Sequence, residues 1–483
     1  MMDIETLNLL PIMPEALLAL MGMVLLLFGV SQGDRVYRTM TWYVILTFIT
    51  AGAMLLRFPE HEILSFGGMF ITEPFARFMK LLILVGASLA LLLSISYTAR
   101  ERINRFEYPI LILFSTLGMF MMVSANDLMA LYMGLELQSL PLYVLAALNR
   151  SNMKSAESGI KYFVLGALSS GLLLYGCSMV YGFAGTTNFT SIAAMLANGE
   201  LPHAGLVVGV VFILAGLAFK VSAVPFHMWA PDVYEGAPSS VVAFFAMVPK
   251  IAAMAVLLRL SMNAFGGIAE QWQQVVVFIS MASMVVGAVA AIAQTNIKRL
   301  MAYSSIGHMG YALIGLAVAN VEGVRSLMLY MTIYMIMTGG VFAIILMMVR
   351  KGQQAENIED LAGLAKYNPV MALCMTLFMF SMAGIPPLAG FFGKLFIFQV
   401  AIAEGYYTLA LVGVLSSVVA AYYYLRIIKI MYFDEATNQL DAVDDVPSAL
   451  VMRGTAVFSV GFIVVAWPFF EAIGYAAERL LSV

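Results

Sequence analysis

Charge is scarce in this sequence. Asp, Glu, Lys and Arg together make up 11% of its 483 residues, against about 25% in a soluble globular domain. A soluble chain of this length would need far more polar surface, which excludes an ordinary water-soluble fold. Cysteine is nearly absent too. Cys177 and Cys374 each stand alone in an apolar run, which excludes a disulfide framework and fits neither a zinc site nor an iron–sulfur cluster. No GxxxxGK[ST] loop and no GxGxxG after a strand occurs, so no nucleotide site is expected. No basic patch suggests nucleic acid. The first residues carry Asp3 and Glu5 rather than a basic stretch, and no cleaved signal peptide is expected.

What is there is apolar. Hydrophobic residues make up 62% of the chain, and about 20 of them in a row cross a bilayer once. About fourteen runs reach that length. The sequence therefore predicts an all-α polytopic membrane protein of about fourteen transmembrane helices. The 37 Met and 32 Phe residues read as packing or lipid-facing material rather than a cofactor box. Lys and Arg gather in alternate connections: Arg35, Arg38, Arg100, Arg102, Arg105, Arg150 and Lys154, then Lys298, Arg299, Arg350, Lys351, Lys366, Arg426, Lys429 and Arg453. The other connections hold few, among them Arg57, Arg77, Arg259 and Arg325. The first set is expected to be cytoplasmic. An even number of spans then puts both termini outside, in keeping with acidic Asp3, Glu5, Glu471 and Glu478. The connection carrying Asp232 and Glu235 is an exception, since it should be cytoplasmic yet has no Lys or Arg of its own.

The chain is organised around residues 216–238, GLAFKVSAVPFHMWAPDVYEGAP. Pro225, Pro231 and Pro238 interrupt a helix that would otherwise run on. Lys220 stands just before the break, and broken backbone at membrane depth is tolerated only where it is buried or lines a polar cavity. A second break is expected within 368–400, at SMAGIPPLAGFFGKLFIF, where Pro386 and Pro387 are flanked by glycines and Lys394 follows. The pattern suggests an internal doubling. One membrane domain over 1–483 would comprise an N-terminal three-helix segment at 1–106, inverted five-helix repeats at 107–262 and 270–432, and a C-terminal helix at 451–483. Each repeat would end in a broken helix followed by an intact one.

Four ionisable residues lie well inside apolar runs: Glu136, Lys220, Lys250 and Lys394. Each costs about 2.5–3.5 kcal/mol at a helix centre on the milder insertion scales. Snorkelling to the interface accounts for one lysine at most, and not for Glu136 or Lys250. Burial weakens the hold of a Lys on its proton, and a nearby carboxylate restores it. Such a row therefore suits proton transfer, with Glu136 as the expected partner of Lys220 and with Lys250 and Lys394 continuing the relay. His227 and His308 are further candidates, although a lone membrane His is often only a packing residue. Lys161 and Lys298 open spans at the cytoplasmic side, where anchoring explains them as well as a proton-uptake role does. Lys80 and Glu15 have no evident partner and are expected at the interface.

GLAFKVSAVPFHMWAPDVYEGAP, LYMGLELQSLPLYVL around Glu136 and TNIKRLMAYSSIGHMGY around His308 together resemble the antiporter-like membrane subunits of respiratory complex I, the proton-pumping NADH:quinone oxidoreductase. The resemblance covers essentially the whole chain. A Lys at position 394 and the lack of a long lateral helix place it nearest the N branch of that family, counterpart of mitochondrial subunit 2. In that family a Glu on the fifth span, Lys on the seventh and eighth, and Lys or Glu on the twelfth form the proton path. The matching residues are Glu136, Lys220, Lys250 and Lys394. The resemblance implies one part of a larger translocase in a bacterial cytoplasmic (inner) membrane. It implies no cofactor in this chain, flavin and iron–sulfur clusters in partner subunits, quinone handled elsewhere, and other membrane subunits on both lateral sides. A subunit of a multi-subunit cation/proton antiporter would use the same row of charges and is the alternative reading. An intact set of buried charges speaks against a mere scaffold.

The charge bias sets a direct test. A tag placed after Val483 is expected to react with a membrane-impermeant label added to right-side-out cells. Protection of that tag would overturn the topology.

Overall fold

A membrane-buried chain must satisfy every backbone N–H and C=O internally, and helices do this within one segment. The computed structural model, which describes residues 9–58, 61–199, 203–436 and 439–481, is accordingly built of helices. Asp3, Glu5 and Val483 lie outside the described residues. The first helices are α1 (Met13–Gln32), α2 (Tyr37–Leu55), α3 (Pro74–Arg100), α4 (Glu107–Val123), α5 (Leu128–Ala146) and α6 (Met153–Ala184). Short α7 (Phe189–Ala197) leads to α8 (His203–Lys220), short α9 (Trp229–Gly236), α10 (Ser239–Met247) and α11 (Pro249–Arg259). Then come α12 (Ala269–Ile292), α13 (Ile297–Val318), α14 (Val321–Met347), α15 (Pro369–Ala383), α16 (Ala389–Ala403), α17 (Tyr407–Phe433) and α18 (Val446–Leu481). Among the described residues, nine stretches are long and apolar enough to cross a membrane. The first of these, Leu10–Leu55, holds both α1 and α2, and four shorter apolar helices accompany the nine. Two small antiparallel hairpins, Ile63–Ser65 with Phe70–Thr72 and Val349–Arg350 with Gln353–Gln354, are the only sheets among the described residues.

Two constructions recur in the two halves of the chain. First, an Asx residue starts a helix and is bridged to the segment that follows the next helix. Asp127 caps α5, accepting from the N–H groups of Met129 at 2.8 Å and Ala130 at 3.2 Å, and forms a β-bridge with Asn188. Asn296 caps α13, accepting from Lys298 at 2.9 Å and Arg299 at 3.1 Å, and bridges to Asn357. Side-chain caps of this kind satisfy the orphan N–H groups of the first turn. Second, α4 meets α5 and α12 meets α13 backbone to backbone, through glycine. A Cβ on Gly118 would stand 2.7 Å from the Gly134 carbonyl oxygen, and one on Gly287 would stand 2.8 Å from Gly307 Cα. Close approach of this kind is how membrane helices associate where no hydrophobic force drives them together.

Both expected breaks are present. α8 ends at Lys220 and the chain resumes helical form in α9. α15 ends at Gly384, whose φ of +90° suits a residue without a Cβ. A third interruption was not expected. The run at 239–262, read as one intact span, divides at Val248 between α10 and α11. Pro249 cannot continue the ladder and opens α11, which places Lys250 in its first turn. α11 ends in a π turn at Leu260–Ala264. The enclosed axis of the molecule is α10–α11 with α14, whereas α17 turns Leu411, Leu415, Val418 and Tyr422 outward.

Two sequence expectations fail here for the same reason. Lys80 and Glu15 are not interfacial: they are 1% and 5% exposed and pair with each other at 2.5 Å. Arg259 is no connection residue either. It is 1% exposed, pairs with buried Glu73 at 2.5 Å and donates through Nε to the Val123 carbonyl at 3.2 Å. Unpaired, each buried charge would be far more costly.

The glycine contacts set a test. Gly287→Leu drives a side chain into the Gly307 backbone, and overpacking of this kind costs about 1–3 kcal/mol. The variant is expected to lower the thermal midpoint of the detergent-purified protein. Gly171→Leu, where no atom lies within 4 Å of the new Cβ, is expected to leave it within error. Equal midpoints for the two would remove the close approach as a constraint.

Candidate functional site

The first polar centre forms where α8 breaks. Lys220, 5% exposed, is the last residue of α8. Its ammonium donates to Ser139 Oγ at 2.7 Å and lies 5.9 Å from the Tyr143 ring and 5.8 Å from the Phe219 ring. Ser139 Oγ in turn donates to the Leu135 carbonyl at 2.6 Å. Trp229 of α9 donates from Nε1 to the Phe219 carbonyl at 2.9 Å, which ties the far side of the break back to α8. Glu136 does not touch Lys220. It is half-buried on α5, one turn before Ser139, and its Oε1 is buried without a hydrogen-bond partner. Glu136 and Lys220 thus form no direct ion pair, and the ammonium meets the Ser139 hydroxyl instead.

The second centre joins α11, α13, α14 and α17. Lys250, 1% exposed, donates to Ser305 Oγ. Ser305 shares a hydrogen bond with Tyr334 Oη at 2.5 Å. One turn earlier on α14, Tyr330 Oη bonds His308 Nδ1 at 2.6 Å. His308 Nε2 lies 3.1 Å from Tyr424 Oη, which in turn lies 2.5 Å from Ser304 Oγ. All of these side chains are buried. Each hydroxyl can accept and donate, and a neutral imidazole carries one donor and one acceptor. Two short chains result, Lys250–Ser305–Tyr334 and Tyr330–His308–Tyr424–Ser304. They stand side by side because Ser304 and Ser305 are neighbours, and because Tyr330 and Tyr334 share one face of α14.

The third centre forms at the second break. The ammonium of Lys394 on α16 donates to the carbonyls of Met382 at 2.9 Å and Ala383 at 3.1 Å, which end α15, and to Ser417 Oγ at 2.7 Å. It also sits 4.9 Å from the Tyr311 ring. Helix-terminal carbonyls lack intrahelical partners and carry partial negative charge, so a cation there is stabilised. Ser381 fastens the same break. It accepts from Gly390 N–H at 3.0 Å and from Ser459 Oγ of α18 at 3.1 Å. A cavity of ≈ 10 Å³, lined by His308, Tyr311, Lys394, Tyr424 and their neighbours, separates the second and third centres. That is about the room one water molecule needs.

Lys161, Lys298 and His227 lie apart from these chains. Lys161 is at the surface, its side chain 42% exposed, and pairs with Glu157 and Asp232 at 2.7 Å each. Arg299 reaches Asp232 at 2.7 Å and Glu235 at 3.2 Å, and Lys154 reaches Glu235 at 3.1 Å. The connection that lacks Lys and Arg therefore borrows three cations from α6 and α13. Burial pushes the Asp232 carboxyl up, but hydrogen bonds from Lys161 and Arg299 outweigh it and hold the group below its ordinary value. These residues line a cleft of ≈ 120 Å³. Lys298 is 2% exposed, pairs with Glu356 at 2.6 Å and donates to the Ala237 carbonyl at 3.1 Å. His227 is half-buried in the first break, and its Nδ1 is buried without a partner. Among the described residues no group of His, Cys, Asp or Glu is arranged to hold a metal ion.

Sequence reasoning missed Ser139, Ser305, Tyr330, Tyr334, Tyr424 and Ser417. Hydroxyls are common in apolar helices and carry no signal alone. The one readable sign was YSSIGH, which stacks hydroxyls one turn before an imidazole.

Residues 125–420 match the family profile described as NADH:quinone oxidoreductase/Mrp antiporter, TM. The chain is 56% identical over 481 residues to NADH-quinone oxidoreductase subunit N of Rhodospirillum rubrum, covering 99% of each chain. It is 54% identical over 468 residues to subunit N 1 of Rhizobium meliloti, covering 96% of each. Among solved structures it is similar to a chain of respiratory complex I from Thermus thermophilus with bound aureothin, at TM-score 0.82 and 29% identity, covering 96% of this chain and 99% of that one. A chain of the Mrp complex from Dietzia gives TM-score 0.85 at only 22% identity, covering 98% of each, and so shares the fold alone. Full-length identity above half separates the two readings that the shared fold leaves open, and the chain belongs to the family of NADH-quinone oxidoreductase subunit N, proton-translocating membrane subunits of respiratory complex I.

Proposed function

We propose that the proton path of this subunit runs from Glu136 through Ser139 to Lys220, on to Lys250, and by Ser305, Tyr334, Tyr330, His308 and Tyr424 to Lys394. The observation that carries it is the pair of hydrogen-bonded chains, one starting at Lys250 and the other passing through His308, that stand side by side on four helices. Four steps share no hydrogen bond: Glu136 to Ser139, Lys220 to Lys250, Tyr334 to Tyr330, and Tyr424 to Lys394. Water or side-chain rotation closes those steps. With the basic connections on the cytoplasmic side and both termini outside, protons are taken up beside the first break. The cleft of Lys161, Asp232 and Arg299 is its mouth, and Lys298 and His227 stand beside it as secondary groups. Protons leave beyond Lys394. The units that carry the path are the inverted repeats at 107–262 and 270–432, held between the segment at 1–106 and the helix at 451–483, in about fourteen crossings altogether.

Moving a proton against a membrane potential costs about 2.3 kcal/mol per 100 mV. In this reading the chain works inside a multi-subunit complex whose other subunits hold flavin and iron–sulfur clusters, oxidise NADH and reduce quinone. Membrane subunits flank it on both lateral sides in the bacterial inner membrane. Glu136, half-buried beside the outward-facing Met133 and Leu140 of α5, is placed to feel a charge change in one of them.

The test is NADH-driven proton uptake by inverted vesicles. Lys394→Met is expected to abolish uptake, whereas Lys394→Glu keeps part of it. Lys394→Arg should fall below the Glu variant, because a guanidinium effectively never releases its proton. Full uptake in the Met variant would remove Lys394 from the path, and an Arg variant better than Glu would indicate a fixed charge.

A second test concerns the phenol that sequence reasoning missed. Tyr424→Phe is expected to slow uptake by roughly 10²- to 10⁴-fold, the range for a lost proton-transfer group. NADH oxidation by an artificial acceptor that bypasses quinone should stay normal. Unchanged uptake would make Tyr424 a packing residue.

A further inference from the structure

We propose that the cleft at the basic end of α4 and α5 binds one anionic phospholipid, independently of the proton path. The cleft has a volume of ≈ 330 Å³, and Arg102, Arg105 and Arg150 line it. All three are exposed. Arg105 pairs with the exposed Asp34 at 2.6 Å. Among the described residues Arg102 and Arg150 form no ion pair, although Lys and Arg elsewhere at this end of the molecule find carboxylates readily, as Lys154, Lys161 and Arg299 do. Glu107 is the one carboxylate that lines the cleft. The lining therefore carries an excess of positive charge, with two guanidinium groups uncommitted.

Arg102 also holds an unusual backbone. Its φ of +56° is a region that glycine or asparagine occupies at lower cost. A long cation thus stands at a turn that locally prefers a smaller residue.

The rest of the lining identifies the ligand. Leu111, Val144 and Leu148 form an apolar wall. A cationic cleft with an apolar wall matches a molecule with an anionic head and a hydrocarbon tail. Guanidinium groups suit its phosphate because they offer forked donors. Free phosphate would use the arginines but not the wall. A larger cavity elsewhere shows the contrast. The ≈ 510 Å³ groove bounded by Phe396 and Phe470 has Glu322 and Glu471 against a single Arg325, and its charge does not favour an anion.

The experiment uses the assembled complex, purified in mild detergent and depleted of lipid, with dioleoylphosphatidylglycerol added back. Native mass spectrometry counts bound lipid and a thermal shift reads apparent affinity. The R102Q/R150Q variant is expected to retain one phosphatidylglycerol fewer per complex than wild type and to need at least tenfold more lipid for the same shift. R102K/R150K should fall between. Leu111→Trp, which fills the wall without altering charge, should also lose the lipid. Dioleoylphosphatidylcholine should give no difference between wild type and R102Q/R150Q. Equal phosphatidylglycerol binding by wild type and R102Q/R150Q would overturn the proposal. So would a full shift from inorganic phosphate alone, which would mean a simple anion site. Loss of a neighbouring subunit from R102Q/R150Q at saturating phosphatidylglycerol would reassign the cleft to a protein partner.

Discussion

A helix that stops inside a membrane leaves carbonyls that water cannot reach, and something must donate to them. At the second break that donor is Lys394, whose ammonium serves the Met382 and Ala383 carbonyls together. The break and the charge therefore need each other. Without the cation the end of α15 would be an uncompensated buried dipole, and without the carbonyls the ammonium would be a charge in hydrocarbon. Ser381 and Ser459 fix the gap in which this exchange happens, and Gly384 and Gly390 let the two half-helices approach closely enough. The first break solves the problem differently. There Lys220 ends the helix and turns to Ser139, while the indole of Trp229 serves the Phe219 carbonyl.

Buried cations in this protein fall into two kinds. Lys80 and Arg259 each hold a carboxylate at 2.5 Å. A pair of that kind, stripped of water, is strongly coupled, and removing one member leaves the other stranded. Lys220, Lys250 and Lys394 instead face hydroxyls, carbonyls and aromatic rings. Neutral partners solvate an ammonium without fixing its protonation. Under this contrast the first kind ties α1 to α3 and α3 to α11, while the second kind remains free to respond to a charge placed elsewhere. Distance from the nearest carboxylate, rather than burial alone, separates the two.

The sequence made the membrane class, both Pro-marked breaks and the row of isolated charges legible, because each violates the apolar background in which it sits. Partnerships across long separations were not legible. Glu15 and Lys80 stand 65 residues apart, and nothing in either run announces the other. Ser139 carried no mark, since a serine hydroxyl costs little in a helix when it can bond a carbonyl one turn back, and nothing in the sequence sets Tyr330, Tyr334 and Tyr424 apart from tyrosines that only pack. The break at Val248–Pro249 is marked by one Pro alone, without the repeated Pro of the other two breaks. Asp232 and Glu235 appeared to defy the charge rule because their cations come from α6 and α13, a fact of packing rather than of local sequence.

The hydroxyl chains have a directional consequence. A proton handed along Tyr330, His308 and Tyr424 leaves every group it passes pointing its hydrogen the wrong way for the next. A file of such groups is spent after one passage and must be rewound by rotation before it can carry another. Tyr330 and Tyr424 are wholly enclosed, so that rewinding has to take place inside close packing. On the proposed route the buried phenols would then act as an escapement, letting one proton through per reset and resisting a continuous leak down the gradient.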